Sequence, residues 1–185
     1  MNTFGLKEVG EKNTIPNFER QKELKGRPDV WDNVKFAKSN DEVKQIRHIT
    51  TINERYEGQV HPEANVPYRK HVFTLNGEKV EGVFPVFESK FNVLLPKNLR
   101  MDSDLKQFDF CVKCLARRIE NDPEFAKQFT ARQIEQIKNG EPNISGLTWH
   151  HNEVPGRMQL VNTREHAICR HTGGRSIWGG GSDCR

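Results

Sequence analysis

Between Ser103 and Asp122 the apolar residues Leu105, Phe108, Val112, Leu115 and Ile119 recur at steps of three and four, which places them on one face of a helix. Ser103-Asp104 suits its start, and Asp122-Pro123 its end. A second, shorter helix is predicted from a Thr130 cap through Ile134 and Ile137 to Asn139-Gly140. Nearer the start, Val43, Ile46, Ile49 and Ile52 keep helical spacing after Asn40-Asp41-Glu42, predicting a helix that ends near Glu57-Gly58. The pattern then changes. Val72-Phe73-Thr74-Leu75 and Glu78-Lys79-Val80 flank Asn76-Gly77, and a type I′ turn needs positive φ at both central residues, so a β-hairpin is expected. His61 to Pro67, with two prolines, reads as an ordered loop. The apolar run VFPVFESKFNVLLP reads as an edge strand or an irregular buried segment, because Pro85 cannot donate to a ladder. Towards the end, a strand from Leu147 to His151, a polar turn, a returning strand from Arg157 to Val161 and a helix capped by Asn162 or Thr163 follow in order. The first forty residues read as loops with one short helix.

Length and composition narrow the class. A chain of 185 residues accommodates one domain with an extension. Hydrophobic residues are 34% and charged residues 29%, but eleven Phe and three Trp supply a core, which excludes full disorder. No run approaches the roughly 18 apolar residues of a membrane span, and MNTFGLKEVGEKN lacks the apolar segment of an export signal. A formal charge of +4 permits an anionic partner without demanding one. Cys111, Cys114, Cys169 and Cys184 do not make a disulfide framework, so reduced thiols are expected. Cys111 and Cys114 would share a helix face with no second such pair to complete a zinc site.

Four of the seven histidines, His150, His151, His166 and His171, fall within the last part of the chain. Neighbouring strand residues point to opposite faces, so His150 and His151 are not expected to bind the same ion. One of them can join His166 and His171 as a neutral nitrogen ligand. Three ligands leave room for water and substrate, as catalytic sites do. The other is suited to act as a general base near neutral pH. On the residues alone, a structural zinc site or satisfied core histidines remain open. Trp149 and Trp178 read as packing residues. His48, His61 and His71 read as structural or exposed, and Gly179-Gly180-Gly181 as a tail or tight turn.

The segments Gly146-Leu147-Thr148-Trp149-His150-His151, Gly156-Arg157-Met158-Gln159-Leu160-Val161-Asn162, His166 and His171-Thr172-Gly173-Gly174, with Ile177-Trp178-Gly179-Gly180-Gly181, resemble the WHH branch of the HNH/endonuclease VII (His-Me finger) superfamily. Such domains are commonly the toxic C-terminal modules of bacterial polymorphic toxins. Similarity extends back through HPEANVP, GVFPVFESKFNVLLP and SDLKQFDFCVKCL, so residues 57–185 would form the nuclease module and 1–56 an extension of unassigned role. The resemblance implies an α+β fold whose ββα-metal catalytic core spans about residues 143–181, preceded by helices and a β-hairpin. It further implies that His150, His166 and His171 hold a divalent ion (Zn, Ni, Mn or Mg) and that His151 is the base. Asn162 would take the place of the central HNH asparagine, bracing the loop that positions the base. The spacing from His166 to His171 is one residue longer than in nuclease colicins.

These parts suit phosphodiester hydrolysis, with the ion polarising the phosphate and stabilising the leaving oxygen. Every cation from Trp149 onward is an arginine, whose fork grips phosphate at two points; Arg157 and Arg175 are the residues expected to do so. The expected activity is a metal-dependent endonuclease acting on DNA. An RNase with the same site and a non-catalytic zinc-binding module for nucleic acid or a protein partner are the alternatives. The resemblance also implies export as part of a larger toxin, action in the cytoplasm of a target bacterium, and a small acidic immunity protein as partner.

Overall fold

The computed structural model describes residues 45–184. The loops and short helix expected in the first forty residues, and the start expected at Asn40, lie outside them.

Two three-stranded sheets and a set of short helices make up the described chain, a mixed α+β architecture. In the first sheet, β2 (Tyr68–Leu75) and β3 (Glu78–Pro85) form the expected hairpin, closed by Asn76 at φ 51° and Gly77 at φ 87°. Its third strand corrects an expectation. Arg47–His48 is not helical but forms a short strand, β1, parallel to β3, and Ile49 N–H donates to Glu81 O. Ile46 and Ile52 stay largely exposed, so the helical spacing of isoleucines here reflects no helix face. Pairing with the open edge of β3 supplies backbone partners that an isolated turn of helix could not match. A 3-10 turn, Glu54–Tyr56, occupies the place of the expected helix end. Residues 47–53, which the sequence reading assigns to the extension, are thus bonded into this unit; buried Thr51 donates its hydroxyl to Val83 O.

The second sheet has the order β4-β6-β5, with β4 Ser89–Leu94, β5 Leu147–His151 and β6 Arg157–Asn162. The apolar run after Gly82 therefore divides: Val83 to Pro85 finish β3, and Ser89 onward supply an edge strand, with a register shift between Ser89 and Phe91. Register puts Phe91, Leu160 and Trp149 on one face, with Met158 and His151 beside them. That face turns towards α1 (Asp104–Asn121), as the contacts of His151 with Gln107 and Phe108 show. The opposite face carries Asn92, Gln159, His150 and Val161. Val161 packs with Val66, Phe87 and Cys169 in a separate apolar cluster.

The buried stripe of α1 is Gln107, Cys111, Val112, Leu115 and Ile119. Leu105, expected in the core, is 69% exposed, and the polar Gln107 is fully buried in the first turn instead. After α2 (Pro123–Ala126), α3 (Ala131–Lys138) begins with a capping box in which Thr130 and Gln133 exchange side-chain and backbone bonds. Among the described residues two further helices follow, α4 (Thr163–Ile168) and α5 (Gly174–Ile177), and then a 3-10 turn at Gly181–Cys184.

The two leucines of α1 should separate cleanly in denaturant unfolding. Leu115→Ala should cost about 2–5 kcal/mol by leaving a cavity, whereas Leu105→Ala should stay within about 0.5 kcal/mol. Equal losses would mean that α1 docks through a different face.

Candidate metal and active site

β5 ends in His150 and His151, and pleating sends their rings to opposite faces. His150 joins His166 from α4 and His171 from the loop after it, with ring centroids 4.9 to 5.2 Å apart. His150 Nδ1 lies 3.2 Å from His166 Nε2, and one nitrogen from each of the three rings can be chosen so that all lie within 4.8 Å of one another. Phe87 packs against all three imidazoles at 5.0 to 5.5 Å. It closes the apolar side of the cluster, a role that the sequence reading did not separate from ordinary core. An aromatic ring there offers no hydrogen bond to an imidazolium, so burial works against protonation.

The electrostatics follow. Burial, reinforced by the neighbouring histidines, holds His150 well below the usual imidazole range. His166 is lowered to about 4 by burial and by His171, and burial lowers His171 as well. His171 Nδ1 is 2.7 Å from Cys169 O, a pure acceptor, so Nδ1 carries the proton and Nε2 keeps its lone pair. These neutral, converging, nitrogen-only donors fit a borderline divalent ion, and the Cys169 carbonyl fixes one tautomer as backbone partners of metal-binding histidines commonly do.

His151 lines the same cavity as the three imidazoles, about 290 Å³, which Asp104, Phe108, Trp149, Gly173, Arg175 and Ser176 also line. Its Nε2 lies 2.6 Å from Gln107 Oε1 and 3.7 Å from Asp104 Oδ1. Neither Gln107 nor Asp104 stood out in the sequence as part of the site.

The remaining expected site residues are placed as follows. Asn162 does not brace the hairpin loop: its side-chain oxygen accepts from the amides of Arg164 and Glu165, capping α4, the helix that presents His166. The loop is braced by Asn152, whose Oδ1 accepts from Val154 N–H and whose Nδ2 donates to Glu153 Oε2 and Gln159 Oε1. Asn162 lies at the junction of β6 and α4, where local cap chemistry claims its side chain. Arg157 sits on the same sheet face as His150, and its charge helps to keep His150 neutral. Arg175, expected at the substrate phosphate, is only 6% exposed. Its guanidinium donates to Asp102 O and Cys184 O and lies 3.2 Å from Asp104, so it ties α5 to the start of α1.

Around the site, Trp178 Nε1 donates to Asn152 O, and a Cβ at Gly174 would collide with that same carbonyl. Glycine at this position lets the terminal segment close against the hairpin loop. His71 Nδ1 lies 2.5 Å from Glu153 Oε1, joining the first sheet to that loop, and His61 Nδ1 accepts from the amides of Glu63 and Ala64.

Lowered histidine pKa values predict how the metal-free protein responds to acid. The unfolded chain takes up a proton near pH 6.5 that folded His166 refuses until about 4, and His150 and His171 are lowered in the same direction, so stability falls as pH drops below the usual imidazole range and is unaffected by these groups above it. In chelator, the Tm should decline between these limits, and His166→Asn should make the decline shallower. Equal slopes would show that His166 does not stay neutral in the folded state.

Neither curated proteins nor solved structures match the chain. A family model does, that of the DNase/tRNase domain of colicin-like bacteriocin, over residues 76–173, more than half of the chain and including every histidine of the cluster. The chain therefore belongs to this family, and the cavity between His150 and His151 lies in a nuclease toxin domain.

Proposed function

We propose that this domain is a metal-dependent HNH-type endonuclease of the WHH branch that hydrolyses DNA. The observation that carries the reading is one cavity lined by three converging imidazoles and by His151. β5, β6 and α4 would be the ββα-metal core, with His150, His166 and His171 holding the ion. When bound, a divalent ion would supply Lewis-acid polarisation of the phosphate and stabilise the leaving oxygen.

The chain's own groups do the rest. His151 takes a proton from water as the water oxygen forms its bond to phosphorus; the bond to the 3′ oxygen breaks, and that oxygen regains a proton from solvent. Arg157, on the His150 face, grips the scissile phosphate. Arg175 contributes by holding Asp104 and α5 in place. Asn162 acts through α4, keeping His166 in position. The toxin context adds a target, the cytoplasm of another bacterium reached as part of a larger exported protein, and a partner, an acidic immunity protein attracted by the arginine-bearing face.

Incubation with plasmid and with tRNA, each with and without chelator, tests the reading. Plasmid should be cut and chelator should stop it; cleavage of tRNA alone would move the assignment to RNA. His151→Ala should lower turnover about 100- to 10,000-fold with metal content intact. His166→Ala should instead lower metal content and Tm together, because the ion stabilises only the folded state. Retained activity in His151→Ala, or unchanged metal content in His166→Ala, would reverse these roles. Expression of the domain in bacteria should kill the cells, and co-expression of the immunity protein should rescue them.

A further inference from the structure

Gln107 is buried without any exposure one turn into α1, where a leucine or valine would satisfy the core. A fully buried amide is retained only if its hydrogen bonds are made, and here they are. Its Nε2 lies 2.8 Å from Leu99 O, 2.9 Å from Arg100 O and 3.1 Å from Asp102 O. Main-chain carbonyls only accept, so the NH2 end of the amide must face that turn. A flipped amide would set its oxygen against three others. The amide oxygen is thereby directed at His151, 2.6 Å from Nε2.

An amide oxygen cannot donate. The short contact is a hydrogen bond only if His151 Nε2 carries the proton. We infer that Gln107 is a positioning residue for the proposed reaction, selecting the Nε2–H tautomer of His151 so that the lone pair that accepts the proton of water is on Nδ1. The inference rests on the nuclease reading above for its functional meaning.

The arrangement also suits the reaction as it proceeds. When Nδ1 accepts a proton, Nε2–H stays where it was, so the bond to Gln107 is kept in both protonation states and nothing has to reorganise. Asp104 Oδ1 lies 3.7 Å from His151 Nε2, and the same oxygen is 3.2 Å from Arg175 Nε. The turn from Leu99 to Asp102 is the anchor of the whole relay: it orients Gln107 and, through Asp102 O, accepts from Arg175.

Histidine tautomers are read directly by long-range proton–nitrogen NMR on 15N-histidine-labelled protein, at about pH 8, above the usual imidazole pKa. His151→Ala assigns the signal. Wild type should show His151 as the Nε2–H form, and finding the Nδ1–H form overturns the inference. Gln107→Met keeps the approximate shape and removes the acceptor: the share of His151 in the Nδ1–H form should rise above that in wild type, and kcat on plasmid should fall about 100-fold, with metal content retained and KM within about twofold. A folded Gln107→Met protein with wild-type tautomer and kcat also overturns it. Gln107→Glu restores an acceptor oxygen and should restore the Nε2–H signal; failure to do so counts against the inference even if Gln107→Met does not fold. A wild type that cleaves no nucleic acid defeats the nuclease reading, whereas one that cuts DNA with an Nδ1–H His151 defeats only the role of Gln107.

Discussion

Adjacent strand residues cannot share a face, and the site depends on that constraint at the end of β5. His150 is committed to the side occupied by α4 and Phe87, and His151 to the side occupied by α1. Two imidazoles joined by one peptide bond thereby enter different environments. One is buried among histidines and kept neutral; the other faces an amide oxygen at 2.6 Å and a carboxylate at 3.7 Å. A residue slip in the pairing of β5 with β6 would exchange these environments, so strand register and chemical role are the same variable.

That register is held from several directions. Asn152 locks the hairpin loop from within, Trp178 and Gly174 close on its carbonyl, and His71 reaches Glu153 from the other sheet. Most of these contacts are polar and directional, as a loop that must not drift requires. Of the segment beyond His171, Gly173, Arg175 and Ser176 line the cavity, and Trp178 packs against His151.

The local patterns were legible in the sequence. Asn76-Gly77, the Thr130 cap and the strand, turn, strand and helix around the histidines depend on neighbours a few residues apart, and each appears where spacing places it. The alternation of His150 and His151 was legible for the same reason. Gln107 was not, because one glutamine in an amphipathic pattern looks like a solvent-facing residue until the Leu99 to Asp102 turn folds over it. The partners of Arg175 were not legible either: an arginine near a phosphate site suggests contact with substrate, and only tertiary structure reveals the carbonyls that it also binds. The isoleucines near residue 46 failed as a helix because an unpaired edge of β3 competes for the same backbone.

The loop carrying His171 has a distant tether. Asn53 donates to Arg170 O and Thr172 Oγ1 accepts from Ile52 N–H, contacts that span 117 and 120 residues of chain. Loops that long close late, since the entropy of joining them must be met before the contact returns anything. The third imidazole of the cluster is thus set only when early and late segments of the domain have come together. Capture of an ion by all three histidines would report on the whole unit at once, and a chain interrupted before residue 171 would have a hairpin and a helix but no closed set of ligands.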